Sequence, residues 1–314
     1  MFAERSNIWV PSNNRRFVET IWTRGPDVVI LDLEASVPDD QQGPARDGIR
    51  DAIPKVSRGG ASVTVRVNHR QWLADLDGAI WPGVFRIIYP QPETPEQMRL
   101  LDEHITKLER LRGLRPGSVE IYPLVETVRG VANAYEIATA SPRIRIFSGG
   151  SLGFDTCRDL LIENRTGGNV RESVYYMIGE CALAARAAGR QPKNGVGYDV
   201  NLSGDVTQGE AAYRGAVANR KAGIYGVGGG LHPNVIEPSN RGQTPTAEEV
   251  AEAREVLREF ERLDAGGEVS GTLNGKTIDR WEAERARKLL AWSEACERQV
   301  RWTQAIREAS EVHP

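Results

Sequence analysis

The sequence predicts an α/β protein organised on a parallel sheet, and three features carry the prediction. Short runs rich in β-branched residues alternate with runs at helical spacing from residue 7 to residue 227. Eight strand candidates result, each separated from the next by room for a helix. Carboxylates close several of these strands, which is where α/β enzymes keep their chemistry. Strict alternation implies parallel pairing, because parallel strands need a crossover, usually a helix. Eight such units match the size of a (β/α)8 barrel, and periodicity leaves a doubly wound open sheet as the alternative.

The first strand is expected at residues 7–11 (NIWVP), followed by a helix through Phe17, Val18 and Ile21. Residues 28–33 (VVILDL) form the second, with a polar helix near 45–53. Residues 62–68 (SVTVRVN) and 85–90 (FRIIYP) are the third and fourth. Pro95 opens a helix through Met98, Leu101, Ile105 and Leu108. The fifth strand lies within residues 119–125 (VEIYPLV); Glu126 ends it and Thr127 caps the helix that follows. A helix at 131–140, a sixth strand at 144–147 and a long Ala-rich helix at 170–188 come next. The seventh and eighth strands are placed at 196–200 and 224–227.

Residues 238–245 (PSNRGQTP) are polar and turn-rich, so they mark a boundary. The chain is thereby divided into a barrel-sized unit, 1–237, and a helical extension, 238–314. In the extension Thr246 and Glu249 form a capping box before the apolar series Val250, Ala253, Val256, Leu257 and Phe260. After a turn (DAGGEVSG) a last helix runs from Arg280 to about Arg298.

Composition excludes several classes. Across 314 residues the charge is -3, which favours neither nucleic acid nor an anionic membrane as partner. No apolar run approaches the length of a membrane span. The first residues do not begin a signal peptide. Cys157, Cys181 and Cys296 are scattered and lack metal-site spacing, so they read as reduced thiols of a cytoplasmic protein. Four histidines without an HxH or HExxH pair make zinc unexpected.

Candidate functional residues sit at strand ends. Asp32 and Glu34 alternate, so both point to one face, the interior or upper rim of a barrel. Arg66 lies in an apolar strand and needs a carboxylate, from an internal ion pair or from a substrate. Glu126 reads either as a functional carboxylate or as a solvent-facing strand end. Gly149 and Gly150, between Ser148 and Ser151, allow a ligand to approach the backbone or simply make a turn. The glycines at 228–230 read the same way, and His232-Pro233 reads as a fixed turn. Asp279, three residues before Glu282 at a helix start, has the pattern of a cap.

These stretches occur together with others in a recognisable order: RSNIWVPSNN, VVILDLEASV, VRVN, PLVETVRGVANAYEIATASPRI, AGIYGVGGGLHPNVIEP, TPTAEEVAEAR and NGKTIDRWEAERARKLL. From about Arg5 to Leu290 the chain resembles the HpcH/HpaI aldolase–citrate lyase superfamily, in its citrate lyase β-subunit-like branch. The resemblance implies a TIM (β/α)8 barrel with a C-terminal helical extension packed on a neighbouring subunit of a homotrimer or hexamer. It implies a carbon–carbon lyase or aldolase acting on a hydroxy acid or its acyl-CoA thioester, with Mg²⁺ polarising a 2-oxo acid. By motif, Glu126 matches the metal-binding glutamate and Arg66 the arginine that grips the substrate carboxylate. Asp279 matches an acid/base aspartate delivered from a neighbouring subunit. Glu34, Gly149, Gly150 and Ser151 join Arg66 as expected substrate-binding positions.

Three positions depart from the family pattern. Ala35 stands where an acidic residue is usual, Gln91 follows Pro90 where lysine is common, and Ser151 occupies the place of a second metal-binding aspartate. Asp155, four residues on, is the remaining candidate ligand beside Glu126, so Mg²⁺ binding is expected to be weak or absent. Two other readings stay open: a metal-independent thioester hydrolase using Glu34, Arg66 and Asp279, and a non-catalytic binding or scaffold protein.

Overall fold

Period-two alternation sorts the strand side chains into two sets, and the sorting decides where the core and the site lie. The computed structural model describes residues 3–149, 169–193, 207–226 and 229–312. Its first five strands are β1 (Asn7–Pro11), β2 (Val28–Asp32), β3 (Ser62–Arg66), β4 (Val84–Pro90) and β5 (Glu120–Leu124). Three two-residue strands follow: β6 (Ile146–Phe147), β7 (Gln191–Pro192) and β8 (Gly229–Gly230). Ile8, Val10, Val29, Leu31, Val63, Val65, Ile87 and Ile121 face outward into one large core beneath the helices. Val28, Ile30, Ile88, Tyr122, Leu124 and Ile146 face inward, with Trp9 packed against them.

Six strands form one parallel sheet, curled as a half-barrel, in the order β5-β4-β3-β2-β1-β8. The pair β6-β7 is also parallel and meets β5 through the isolated bridges Ile121↔Ile144 and Leu124↔Ser148. No pairing of β7 with β8 occurs among the described residues. The crossovers hold α1 (Arg15–Thr20), α2 (Gln42–Asp47), α3 (Ile49–Val56), α4 (Trp72–Ala79), α5 (Pro95–Leu111), α6 (Val128–Ala132), α7 (Ala134–Thr139), α8 (Asn169–Ala187) and α9 (Thr207–Lys221). Met98, Leu101 and Ile105 of α5 are fully buried, as their spacing predicts.

The amino-terminal end of the inner face is closed by ions. Arg86 donates to Glu4 and Glu120, and Lys193 also reaches Glu4. Burial pushes the Lys193 ammonium below its ordinary range. Burial would push Glu4 up, yet the charges of Arg86 and Lys193 hold its carboxyl well below the usual range. The link from Lys193, just past β7, to Glu4, just before β1, joins chain segments that no strand pairing connects among the described residues.

The eighth strand is not the expected 224–227. Gly223 N–H donates to Arg220 and Ile224 N–H to Asn219, the paired bonds that terminate α9, so Ile224 belongs to a helix end. The strand beside β1 is Gly229–Gly230 instead. A Cβ at Gly229 would lie 2.0 Å from Trp9 Nε1, and one at Gly230 would lie 2.3 Å from Val235 Cγ2. Packing thus demands glycines where propensity would ask for β-branched residues. The expected seventh strand at 196–200 lies outside the described residues.

Residues 238–245, read as a turn-rich boundary, are largely helical: α10 spans Ile236–Gln243. Pro238 falls in its first turn, where proline is tolerated, and Ile236, Ser239, Gly242 and Gln243 are buried. Beyond it come α11 (Ala247–Ala265), the hairpin β9 (Ser270–Leu273) and β10 (Lys276–Asp279), and α12 (Arg280–Val312). The Thr246–Glu249 capping box is present, with both reciprocal hydrogen bonds. Ala253, Val256 and Leu263 make a satellite core with Ile278 and Ala286. The second half of α12, longer than the sequence suggested, returns to its own chain. Trp292 and Cys296 pack with Ala3, and the Trp302 indole donates to the Gly60 carbonyl at 3.0 Å.

Candidate active site

The inward set that begins with Val28 and Ile30 ends, at the carboxyl edge of the sheet, in Asp32. On β3 the same face ends in Arg66, the register partner of Asp32. Neighbours in register on one face must meet, and they do. Arg66 donates from Nε and Nη2 to the two Asp32 oxygens, at 2.6 Å each. Its Nη1 lies 3.3 Å from Glu34 Oε2, and its guanidinium stacks over Trp9, 4.3 Å from the ring centre.

Asp32 is fully buried and also accepts from the backbone N–H groups of Glu34 and Ser36, at 3.0 Å each, and from the Ser36 hydroxyl. Burial alone would push its carboxyl up. The Arg66 hydrogen bonds and charge outweigh that and hold it below the usual carboxylate range. Burial likewise disfavours the charged guanidinium of Arg66, yet Asp32 first, then Glu34 and Glu126, keep it above its ordinary value. The internal ion pair expected as one reading of Arg66 is therefore present. It does not exhaust the group: among the described residues Asp32 takes hydrogen bonds from two of its five N–H donors, Nε and one of Nη2, while Glu34 lies at ion-pair distance from Nη1.

Glu126 follows β5 on the inward parity of Tyr122 and Leu124 and is 8 % exposed, which removes the reading of a solvent-facing strand end. Its charge acts on both Arg66 and Tyr122. Tyr122 is hydrogen-bonded to Ser148, and burial pushes its hydroxyl up to about 12. Thr127 caps α6 as expected, accepting from Gly130 N–H at 3.0 Å. Gly130 must be glycine, because a Cβ there would lie 2.4 Å from the Pro92 carbonyl. That contact fixes the start of α6 against the loop after β4, where Gln91 adopts φ 53, uncommon for a residue with a side chain.

The structure thus brings together Glu34, Arg66 and Glu126 of the expected site. Gly149 is buried near them, but a Cβ there would lie 3.0 Å from Cys181 Sγ, so close packing on α8 accounts for it. Gly150, Ser151 and Asp155 lie outside the described residues. Asp279 stands apart from this group on the satellite hairpin. Its Oδ1 accepts from the N–H groups of Trp281 and Glu282 at 2.8 and 2.9 Å, the expected helix cap. Among the described residues no hydrogen bond or ion pair joins it to Arg66 or Glu34.

Two members of the cluster were not singled out from sequence. Trp9 had no polar signal. His69 sits 3.0 Å from Glu34 Oε1 through Nδ1, and nothing in VRVN marks the residue after it. Three carboxylates, Asp32, Glu34 and Glu126, surround one guanidinium, and oxygen donors with surplus negative charge suit a hard divalent cation. Among the described residues, though, no three His, Cys, Asp or Glu side chains converge as a ligand set. Glu126 is the carboxylate there that the resemblance marks as a metal ligand.

The profile of the HpcH/HpaI aldolase/citrate lyase family matches residues 5–219, more than half of the chain. This chain belongs to that family. It is 28 % identical over 313 residues to the L-malyl-CoA/β-methylmalyl-CoA lyase of Cereibacter sphaeroides, covering 92 % of this chain and 94 % of that one. It is 28 % identical over 298 residues to citrate lyase subunit beta of Escherichia coli, covering 93 % and 94 %. Among solved structures it resembles a citrate lyase from Burkholderia xenovorans, with TM-score 0.75, 19 % identity and coverage of 94 % and 92 %. It also resembles CitE from Mycobacterium tuberculosis in complex with magnesium, acetoacetate and coenzyme A, with TM-score 0.68, 21 % identity and coverage of 93 % and 98 %. The likeness to these structures shows the shared fold. Among the described residues no helix is long and apolar enough to cross a membrane.

Proposed function

We propose that the chain is a carbon–carbon lyase that cleaves or forms the bond between a 2-oxo acid and the remainder of a hydroxy acid or its acyl-CoA thioester. The observation that carries this reading is Arg66. It is buried, fixed by Asp32 and Trp9, and among the described residues its Nη1/Nη2 fork makes no two-point pairing at the carboxyl edge of the sheet beside Glu126. Two parallel N–H groups on a rigid fork suit a substrate carboxylate. Magnesium and coenzyme A accompany the Mycobacterium tuberculosis relative, which supports both as ligands here. Glu126, with Asp155 as the second candidate, would hold Mg²⁺, and such an ion supplies Lewis acidity toward a carbonyl oxygen. The neutral Ser151 and Ala35 lower the negative charge available, so binding of the ion is weak.

The roles of the protein's own groups follow. Arg66 binds and orients the carboxylate, and Asp32 and Trp9 keep its guanidinium in place. Glu34 limits how much of that guanidinium is open, and Asp279 of a neighbouring subunit moves the proton. This last role requires an oligomer, a trimer or hexamer in which the part of the 238–314 extension that carries Asp279 packs on the next copy, while α10 and the second half of α12 pack on their own chain. The same reading takes each 1–237 unit as a closed (β/α)8 barrel, which the family resemblance supports, and the protein as cytoplasmic, which its scattered cysteines support. The metal-independent hydrolase and scaffold readings are disfavoured, because the relatives matched over nearly their full length are lyases.

The test offers L-malyl-CoA to the purified protein and measures 2-oxo acid as its phenylhydrazone and free thiol with a thiol reagent. A lyase releases 2-oxo acid and leaves the thioester intact. Thiol without 2-oxo acid identifies a hydrolase, and neither product over a panel of hydroxyacyl-CoA thioesters identifies a scaffold.

A further inference from the structure

We infer that His69 is a positioning residue that keeps Arg66 open to a carboxylate by holding Glu34 away from it. The inference rests on the substrate-binding role proposed for Arg66. Glu34 divides its two oxygens: Oε1 lies 3.0 Å from His69 Nδ1, and Oε2 lies 3.3 Å from Arg66 Nη1. A carboxylate only accepts, so Nδ1 donates in this contact. Asp32 already engages the Nε and Nη2 donors of Arg66. If Glu34 gave both oxygens to the same guanidinium, the remaining two-point fork of Nη1 and Nη2 would be filled from within the protein, leaving a single N–H. A two-oxygen pairing is the geometry that guanidinium and carboxylate favour, so something must prevent it. His69 occupies the oxygen that would complete it.

The loop that presents His69 is tied down on both sides of it. Asn68 N–H donates to Asp75 Oδ2 at 2.7 Å, and Arg70 N–H to Asn68 Oδ1 at 2.9 Å. Gln71 N–H donates to the Asn68 carbonyl at 3.0 Å. Asp75 is 1 % exposed and is held from its other side by Arg46 Nε at 2.7 Å, while the Gln71 amide donates to Gln42. Six residues, Gln42 and Arg46 of α2, Asp75 of α4, and Asn68, Arg70 and Gln71 between β3 and α4, thus hold the loop on either side of His69. A ring there for surface reasons alone would not need such support.

Pyruvate, as the smallest 2-oxo acid, is the probe, titrated calorimetrically into the full chain with Mg²⁺ in excess at a single pH. His69→Ala is expected to weaken pyruvate binding about tenfold. His69→Gln, whose amide still donates to Glu34, is expected to stay within about threefold of the wild type. Adding Glu34→Gln to His69→Ala is expected to recover most of the loss, because a neutral amide grips a guanidinium less than a carboxylate does. A merely structural role for His69 would not show this relief. His69→Leu fills the ring's volume without a donor and repeats the test if the alanine variant folds poorly. Unchanged binding in both the alanine and leucine variants, or a loss that Glu34→Gln does not relieve, overturns the inference. Arg66→Met separates it from the reading beneath. If Arg66→Met weakens binding and His69→Ala does not, only the role of His69 falls. If Arg66→Met or the wild type shows no Arg66-dependent binding, both fall.

Discussion

Replacing Asp32 by Asn leaves the shape of the site intact and removes the fully buried charge of a buried pair. The amide keeps one acceptor and turns an NH₂ group toward a guanidinium that can only donate. The wild-type carboxylate accepts two Arg66 bonds of 2.6 Å, two backbone N–H bonds of 3.0 Å and the Ser36 hydroxyl. Breaking a buried pair by removing one partner typically costs about 3–5 kcal/mol. Glu34, 3.3 Å from Nη1, still offsets part of the stranded charge, which places the expected loss near the lower end. At roughly 2–4 °C per kcal/mol, the melting temperature should fall by about 6–12 °C. Thermal unfolding followed by circular dichroism reads this directly. Adding Arg66→Met should recover most of the loss, since an apolar pair of similar volume replaces a buried ion pair at little cost. A fall of less than about 2 °C, or a double variant less stable than the single one, would refute the reasoning.

The pH dependence of that difference follows from its sign. Asp32 is held below its unfolded value, so its contribution is present above the unfolded carboxylate range, about pH 4, and is lost as pH falls through the folded value. The melting difference between wild type and Asp32→Asn should therefore be constant near neutrality and shrink below about pH 4. Asp27 and Asp75, pushed up by burial, act in the opposite sense in both proteins and cancel from the difference. Gly229→Ala drives a methyl group to 2.0 Å from Trp9 Nε1, and should cost about 2–3 kcal/mol while shifting the Trp9 indole N–H resonance. Asp279→Asn keeps the cap and should melt within about 1 °C of wild type, whereas Asp279→Ala should lose about 1 kcal/mol. If Asp279 moves the proton, both variants lose turnover alike; turnover that tracks stability instead would leave Asp279 as a cap alone.

The sequence made the first five strands legible to within a residue or two because each has a buried apolar outer face and an alternating inner one. Past β5 that signal fades. The last three strands are two residues long, and β8 is a glycine pair set by Trp9 and Val235, which no propensity reveals. Residues 238–245 misled in the same way, since α10 buries small polar residues rather than an apolar stripe. At the site, alternation was enough to put Asp32 and Glu34 on one face and to demand a partner for Arg66. It did not reveal that Asp32 is the main partner, which depends on the β2–β3 register. His69 was invisible, because its function depends on a carboxylate thirty-five residues away that only the fold brings close.

The central claim, a carbon–carbon lyase site at Arg66 and Glu126, is tested most directly by measuring both products of one thioester reaction in wild type, Arg66→Met and Glu126→Gln. With L-malyl-CoA or another hydroxyacyl-CoA of the panel, the account predicts 2-oxo acid from wild type with no matching rise in free thiol. It predicts a fall of about a hundredfold or more in each variant, because each removes a charged group from the reacting carboxylate's surroundings. Free thiol as the main product, or 2-oxo acid release that survives Glu126→Gln and Arg66→Met unchanged, would contradict it.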